Sequence, residues 1–382
     1  MMSKNHLFLI IILFNIYFQK KLDFFEPLLK GTDDCKNKSF TPTEENVKVL
    51  GRIYQEEGIA WLVQSGSSIE FYITGSVAEV VLVGDAHIYN SKSQRPRFGI
   101  FLDDELFLDS TMSELELKVE LFKVEDEEKT AKVKIMLFSE NNNGGIGINS
   151  VNTYICSNQK GIEPVEKKKI NIEFIGDSIT CAYGVEAKSH YERFRTTTEN
   201  ASKSYAYLAS QILDADYSIV CYSGSGIVSG YTSNGEKNYG NLFPPYYKHI
   251  SRKSKYPGEF NFSEHKYDVI VINLGTNDNN YVKNDTTIRN DEFIQEYANF
   301  LGTVREANPD SYIICTVGTL ECGEIYTLIE KAIKLFGDSR VRSFLSPSQD
   351  INDGLGADWH PSVITHQKLS KLVAEKISEV LT

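Results

Sequence analysis

Ile170-Asn-Ile-Glu-Phe-Ile-Gly-Asp-Ser-Ile-Thr-Cys-Ala-Tyr-Gly184 decides how the second half of the chain is read. Residues 170–175 alternate, are rich in Ile and Phe, and predict a strand. Gly176 ends it, Asp177 and Ser178 can cap a turn, and a new segment begins. A serine at the C-terminal end of a parallel strand stands where α/β proteins build active sites. Taken alone, Gly176-Asp177-Ser178 reads first as a helix-capping turn. The segments downstream change that reading.

From Ile170 onward, strand and helix signals alternate. Strands are expected at 170–175, 217–222, 268–274, 311–317 and near 340–345, and helices at about 201–213, 288–307, 322–336 and 362–380. Residues 268–274 and 311–317 are continuous apolar runs, as strands buried on both faces require. The alternation predicts a doubly wound parallel sheet covered by helices. The connection 224–267, rich in Tyr, Gly, Pro and Asn, is too long for an ordinary loop and is expected to shape a site.

In such a sheet the C-terminal strand ends share one edge. Gly176-Asp177-Ser178 follows the first strand, Ser223-Gly224-Ser225-Gly226 the second, and Gly275-Thr276-Asn277-Asp278 the third. Asp358-Trp359-His360-Pro361-Ser362 precedes the last helix. These are the parts of acyl transfer by a serine enzyme. A serine hydroxyl needs a base, and imidazole serves near neutral pH. The tetrahedral oxyanion needs donors, which the backbone N–H of Ser178, that of Gly226 (or Gly224) and the Asn277 amide can supply.

This order of blocks resembles the SGNH (GDSL-like) hydrolase superfamily over nearly all of 168–382. The resemblance implies Ser178 as nucleophile, Gly226 and Asn277 as oxyanion residues beside the Ser178 amide, and His360 as general base. More narrowly, the chain is similar to carbohydrate esterase family 2. The stretches that carry this are FIGDSITCAYG at 174–184, TTTEN at 196–200, YSGSG at 222–226, DVIVINLGTND at 268–278 and GADWHPS at 356–362. LGRIYQ at 50–55 and LFSE at 137–140 extend it into the first half. The family implies a three-layer α/β/α, flavodoxin-like SGNH domain behind an N-terminal antiparallel β-sandwich (jelly-roll). It also implies removal of acetyl groups from plant cell-wall sugars such as xylan or glucomannan, through an acetyl-enzyme. Asp358 stands two residues before His360, where the superfamily usually has Asp-x-x-His. Asp358 is expected to orient His360, with a backbone carbonyl and a Ser-His dyad as the alternative.

Upstream, from Val47 to about Ser157, short alternating runs separated by turns predict seven or more antiparallel strands in a sandwich. The acidic run 125–128 reads as a solvated hairpin tip. Residues 26–45 read as a polar entry segment and 158–169 as a linker. The expected domains are therefore 36–160 and 168–382, behind a signal peptide or anchor at 1–25. Leu7–Phe18 is an apolar run too short to span a bilayer and suited to a secretory segment. Export to the cell exterior is the expectation.

The chain has 382 residues, 41% hydrophobic and 24% charged, with a formal net charge of −12. No basic stripe runs through it, so neither nucleic acid nor an anionic membrane surface is expected as a partner. Acetylated carbohydrate is the expected partner, with no cofactor and no metal. There is no H-E-x-x-H and no G-x-S-x-G. His6, His87, His190, His249, His265 and His366 lack partner motifs and read as packing or surface residues. Glu199 reads as a supporting hydrogen-bonding residue and Asp278 as structural. Trp359, Tyr231, Tyr239, Tyr246 and Tyr247 are candidates to stack on sugar. Six cysteines allow several pairings; Cys181 and Cys221, beside apolar runs, read as buried thiols. Sequons stand at Asn37, Asn200, Asn261 and Asn284. Two other readings fit the same residues: a carbohydrate-binding protein with a silent hydrolase unit, and an O-acetyltransferase to sugar acceptors.

Overall fold

The computed structural model describes residues 35–382 apart from 126, 284–286 and 321. The apolar N-terminal run and Asn284 lie outside the described residues. Up to residue 164 the strands are β1 (Lys36–Phe40), β2 (Lys48–Leu50), β3 (Ile53–Glu56), β4 (Ile59–Leu62), β5 (Ser68–Gly75) and β6 (Val77–Gly84), followed by β7 (Arg97–Leu102), β8 (Glu105–Thr111), β9 (Glu116–Lys123), β10 (Lys129–Leu137), β11 (Ile146–Ile155) and β12 (Ile162–Pro164). They form two sheets, ordered β3-β4-β11-β6-β9 with β1 on β11, and β12-β5-β10-β7-β8 with β2 on β5. All their pairings are antiparallel. Alternate residues of β5 (Ile69, Phe71, Ile73) and β10 (Val133, Ile135, Leu137) meet Val80 and Leu82 of β6 and Ile146 and Ile148 of β11 in one core.

Three local expectations change. The entry segment contains β1, whose polar sequence gives little strand signal; β11 and the Cys35–Cys156 disulfide hold it. The linker contains β12. The acidic run is not a hairpin tip, because β9 and β10 belong to different sheets. It carries the chain from one sheet to the other, and Glu128 accepts the backbone N–H groups of Cys156 and Ser157.

The second half builds a parallel sheet from β13 (Asn171–Gly176), β14 (Asp216–Cys221), β15 (Val269–Asn273), β16 (Tyr312–Thr316) and β17 (Val341–Ser343), ordered β14-β13-β15-β16-β17. This is the flavodoxin-like order. The helices are α1 (Ser178–Cys181), α2 (Tyr205–Ile212), α3 (Asn279–Val282), α4 (Ile288–Ala307), α5 (Gly323–Phe336) and α6 (Val363–Leu381). Strand alternation sorts the core. Ile172, Phe174, Val269 and Val271 pack under α2 and α6, while Ile175, Ile270 and Ile272 pack under α4 and α5. Three layers result, and the sheet order reverses at β13, so the crevice opens beyond its C-terminal end.

The two halves share buried polar contacts. The fully buried Arg52 guanidinium donates to Glu173 Oε1 at 2.8 Å and to the carbonyls of Tyr247 and His249. Lys48 Nζ pairs with Asp216 at 2.6 Å. Cys181 and Cys221 are also disulfide-bonded, which overturns their reading as thiols, whereas Cys315 and Cys322 are buried thiols. The C-terminal end of α1 and the end of β14 come together there, a proximity no spacing in the sequence reveals. Among the described residues no helix is long and apolar enough to cross a membrane.

Candidate active site

Ser178 follows β13 directly and is the first residue of the one-turn α1; the Asp177 side chain caps the turn by accepting the Ile179 N–H at 3.0 Å. Ser178 is 7% exposed. Its Oγ lies 2.9 Å from His360 Nε2, across 182 positions of sequence. His360 Nδ1 faces the carbonyl oxygens of Ala357 at 3.0 Å and Asp358 at 3.2 Å. Carbonyls only accept, so Nδ1 carries the hydrogen and the Nε2 lone pair faces the serine. Loss of hydration moves the His360 pKa below its ordinary 6.5, opposed by those two carbonyls and by the Asp358 charge. The ring is therefore neutral at neutral pH, as a general base must be.

The Asp358 carboxylate does not orient His360. It accepts from Tyr183 Oη at 2.9 Å, from the Phe194 N–H at 3.1 Å and from Arg193 at 3.1 Å. The cause is backbone geometry. Asp358 and Trp359 both have left-handed φ, +48° and +67°, which turns the Asp358 carbonyl toward Nδ1 and its side chain away. The orienting group is main chain, so the structure holds a Ser-His dyad where Asp358 was expected to complete a triad.

The oxyanion side brings together Asn277 and the 223–226 loop. Asn277 is 7% exposed, and its Nδ2 lies 3.1 Å from Asp177 Oδ2 and 2.9 Å from the Ser225 carbonyl. This places residues 177 and 225 on either side of one amide. Gly226 does not offer its N–H to that space, because it donates to the Asn241 carbonyl at 3.2 Å. A Cβ at 226 would meet Asp278 Oδ2 at 2.6 Å, so this glycine serves close packing. The Gly224 and Ser178 N–H groups have no acceptor among the described residues. Of the two glycines expected to serve here, Gly224 is the one whose N–H is left unbonded among the described residues, and a developing oxyanion can compete with the neutral Ser225 carbonyl for the second Asn277 hydrogen.

Two buried carboxyls support this edge. Burial pushes Asp177 up to about 7, opposed by the Ile179 N–H and reinforced by Asp278. Asp278 is pushed to about 6 by burial, against three backbone N–H donors, Ile227, Val228 and Ser229. Those bonds fix the chain after Gly226, which bears out a structural role for Asp278.

Around the dyad, Tyr183 stacks on His360 with ring centroids 4.1 Å apart. His190 packs against Trp359 at 3.9 Å, and Tyr191 joins them. Trp359 is 52% and Tyr191 80% exposed, an aromatic surface beside the base. Tyr231 and Tyr239 are exposed, but Tyr247 is buried on Glu173 Oε2 and Asn308, so it cannot stack on sugar. His366 is a core residue accepting the Tyr205 N–H. Glu199 accepts the Glu140 N–H at 2.9 Å, in agreement with a supporting role. Sequence reasoning missed Tyr183, Asn241 and Glu140. Glu140 lay within the quoted LFSE stretch, whereas Asn241 carries no signal. Among the described residues no group of three or more His, Cys, Asp or Glu stands ready to hold a metal ion.

The family described as GDSL-like Lipase/Acylhydrolase matches residues 174–368. The chain is 35% identical over 227 residues to the cellulase/esterase CelE of Acetivibrio thermocellus, covering 57% of this chain and 26% of that protein. It is 29% identical over 228 residues to an acetylxylan esterase / glucomannan deacetylase of Cellvibrio japonicus, covering 56% of this chain and 60% of that protein. It thus spans less than two thirds of either relative's length. Among solved structures, a family two carbohydrate esterase from Clostridium thermocellum in complex with cellohexaose superposes with a TM-score of 0.74 at 26% identity, covering 88% of this chain and 99% of that one.

Proposed function

The chain belongs to the GDSL-like lipase/acylhydrolase family, and from that premise we propose that it is a serine carbohydrate esterase that removes O-acetyl groups from plant cell-wall polysaccharide or its fragments. The observation that carries this is the 2.9 Å approach of His360 Nε2 to Ser178 Oγ, with Nδ1 held by carbonyls. Ser178 Oγ attacks the acetyl carbonyl carbon while His360 Nε2 takes its proton. The carbonyl π pair moves to oxygen, where the N–H groups of Ser178 and Gly224 and the Asn277 amide receive it. Collapse breaks the bond to the sugar oxygen, which leaves with the proton from His360. Water, deprotonated by the same imidazole, then releases acetate from the acetyl-enzyme.

Acetylated xylan and glucomannan are the proposed substrates, supported by the activities named for the relatives. The exposed Trp359 and Tyr191 beside His360 are suited to a sugar ring. The disulfides support export to an oxidising compartment. We read 36–160 and 168–382 as two domains working as one body, since Arg52, Lys48 and Glu140 reach across.

The test is direct. The protein should hydrolyse p-nitrophenyl acetate and release acetate from acetylated glucomannan or xylan, and Ser178→Ala should abolish both. Equal rates for variant and parent, or no turnover of any acetyl ester, would refute the reading.

A further inference from the structure

The Ser223 carbonyl and the Gly224 N–H belong to one planar trans peptide, so they point in opposite directions. Asn241 Nδ2 donates to that carbonyl at 3.1 Å. The Gly224 N–H is thereby turned away from Asn241. Gly224 has φ of +75°, and a Cβ there would meet Asn241 Nδ2 at 2.7 Å, so the clamp requires glycine. The peptide before it is held from the other half of the molecule. Glu140, 3% exposed and just past β10, accepts the Ser223 N–H on Oε2 at 3.0 Å.

Glu140 is itself fixed. Asn142 Nδ2 donates to the same Oε2 at 3.1 Å, and the Glu140 N–H donates to Glu199 Oε2 at 2.9 Å. The adjoining Phe138 carbonyl accepts the Ala201 N–H at 3.0 Å, and Ser139 Oγ accepts the Arg97 N–H at 2.9 Å. Arg97 in turn donates to the carbonyls of Thr197 and Glu199 at 3.1 Å each. The sandwich edge 138–140 is thus sewn to the 196–201 segment on one side and to the oxyanion loop on the other. Residues 138–140 of LFSE and 197–199 of TTTEN meet at this junction.

We propose that Glu140, a sandwich residue, is a positioning residue for ester hydrolysis: with Asn241 it sets the Ser223–Gly224 peptide so that the Gly224 N–H faces the oxyanion. The sandwich then contributes to the hydrolase site instead of serving only as an attached module. A buried carboxyl that receives a loop amide from another sheet system is a costly arrangement, since it must be desolvated, and Ser223 N–H and Asn142 are what it gains. The inference rests on the serine-esterase reading above.

Three variants of the full chain, Glu140→Ala, Glu140→Gln and Glu140→Asp, test it by kcat and KM on p-nitrophenyl acetate and by amide exchange of the peptide spanning 222–226. Removal of an oxyanion donor outright costs roughly 10²–10³ in kcat. A mis-set donor should cost less, so Glu140→Ala is expected to lower kcat about tenfold or more with KM within about threefold. Glu140→Gln keeps an acceptor oxygen and should recover most of the rate; Glu140→Asp, too short to reach, should not. Exchange at 222–226 should quicken in the Ala and Asp variants alone. Parental kcat in both short variants, equal loss in Glu140→Gln, or unchanged exchange overturns the inference. Should Glu140→Ala fail to fold, the Gln and Asp pair decides the outcome. An inactive parent would refute the esterase reading instead, and the exchange arm would still judge whether Glu140 sets the loop.

Discussion

The Tyr183 ring lies over the His360 imidazole, centroids 4.1 Å apart and planes 28° from parallel, and its hydroxyl donates to Asp358 Oδ2 at 2.9 Å. Asp358 therefore acts on the base twice, through its own carbonyl on Nδ1 and through the ring it anchors above the imidazole. Neither role needs its carboxylate against Nδ1. Asp358→Asn should lower kcat by less than about tenfold, against the roughly 10⁴ that follows loss of a triad acid. Tyr183→Phe should stay near the parent, and Tyr183→Ala should lose more. A loss in Asp358→Asn as large as a triad predicts would show that its carboxylate swings onto Nδ1 during turnover.

The pH profile follows from the same ring. The base must be neutral, so activity rises with pH as His360 loses its proton and falls away below. Burial of the ring lowers its pKa from 6.5, so the acid limb of kcat/KM should lie below 6.5. The Asp358 charge works in the opposite sense and raises it. Asp358→Asn should therefore move the limb to lower pH. A limb that stays put or moves up would contradict this electrostatic account.

Much of this was legible because the signals are local. The apolar run 268–274 contains β15, and helix 288–307 is α4 to the residue. Ser178, Asn277 and His360 converge because each follows a strand end or precedes the last helix in one sheet. What was not legible depends on distant geometry. Gly224 and Gly226 look alike in sequence, and only Asn241 and Asp278, arriving from other segments, show that the Gly226 N–H is bonded and its Cα closely packed while the Gly224 N–H is not bonded. Asp358 was misread because its left-handed backbone cannot be inferred from Asp-Trp-His. The polar β1 was missed because its order comes from β11 and a disulfide.

The Cys181–Cys221 disulfide ties the turn carrying Ser178 to the strand entering the oxyanion loop, and both residues are fully buried. It closes a separation of 40 residues. Replacing both by Ala should lower unfolding free energy by about 2–4 kcal/mol. Thiol reagents should not reach the bond in the folded protein. Urea unfolding of the double variant and thiol titration of the native parent check both statements; prompt loss of activity in mild reductant would contradict the second.

Trp359 is half exposed next to the base, with His190 packed against it. An exposed indole at this place can contribute to sugar binding without touching the acetyl group. Trp359→Ala should raise KM for acetylated glucomannan about tenfold, worth roughly 1.4 kcal/mol of binding. KM for p-nitrophenyl acetate should hold within about threefold, on the reading that lost ground-state binding appears in KM. Equal effects on both substrates would instead place Trp359 in support of the His360 turn.

Behind the sheet, Lys134 Nζ pairs with Glu70 Oε1 at 2.9 Å, while Lys48 Nζ reaches Glu70 Oε2 at 3.4 Å and Asp216 of β14 at 2.6 Å. All four residues are less than one-tenth exposed, and the network joins the sandwich to the parallel sheet. Burial works to raise the Glu70 pKa, but Lys134 and Lys48 outweigh it and hold it below 4.5. A carboxyl depressed in the folded state stabilises above its unfolded pKa, about 4.3, and that contribution fades as pH falls through the folded value. Glu70→Gln leaves the buried Lys134 ammonium without a carboxylate, while Lys48 keeps Asp216, and should cost about 3 kcal/mol at neutral pH. The deficit should shrink in acid, because the parent then loses the same charge. Urea unfolding of both proteins at pH 7 and at pH 3 measures it, and a deficit that stays constant across that range would remove Glu70 from the account of how the two halves are held together.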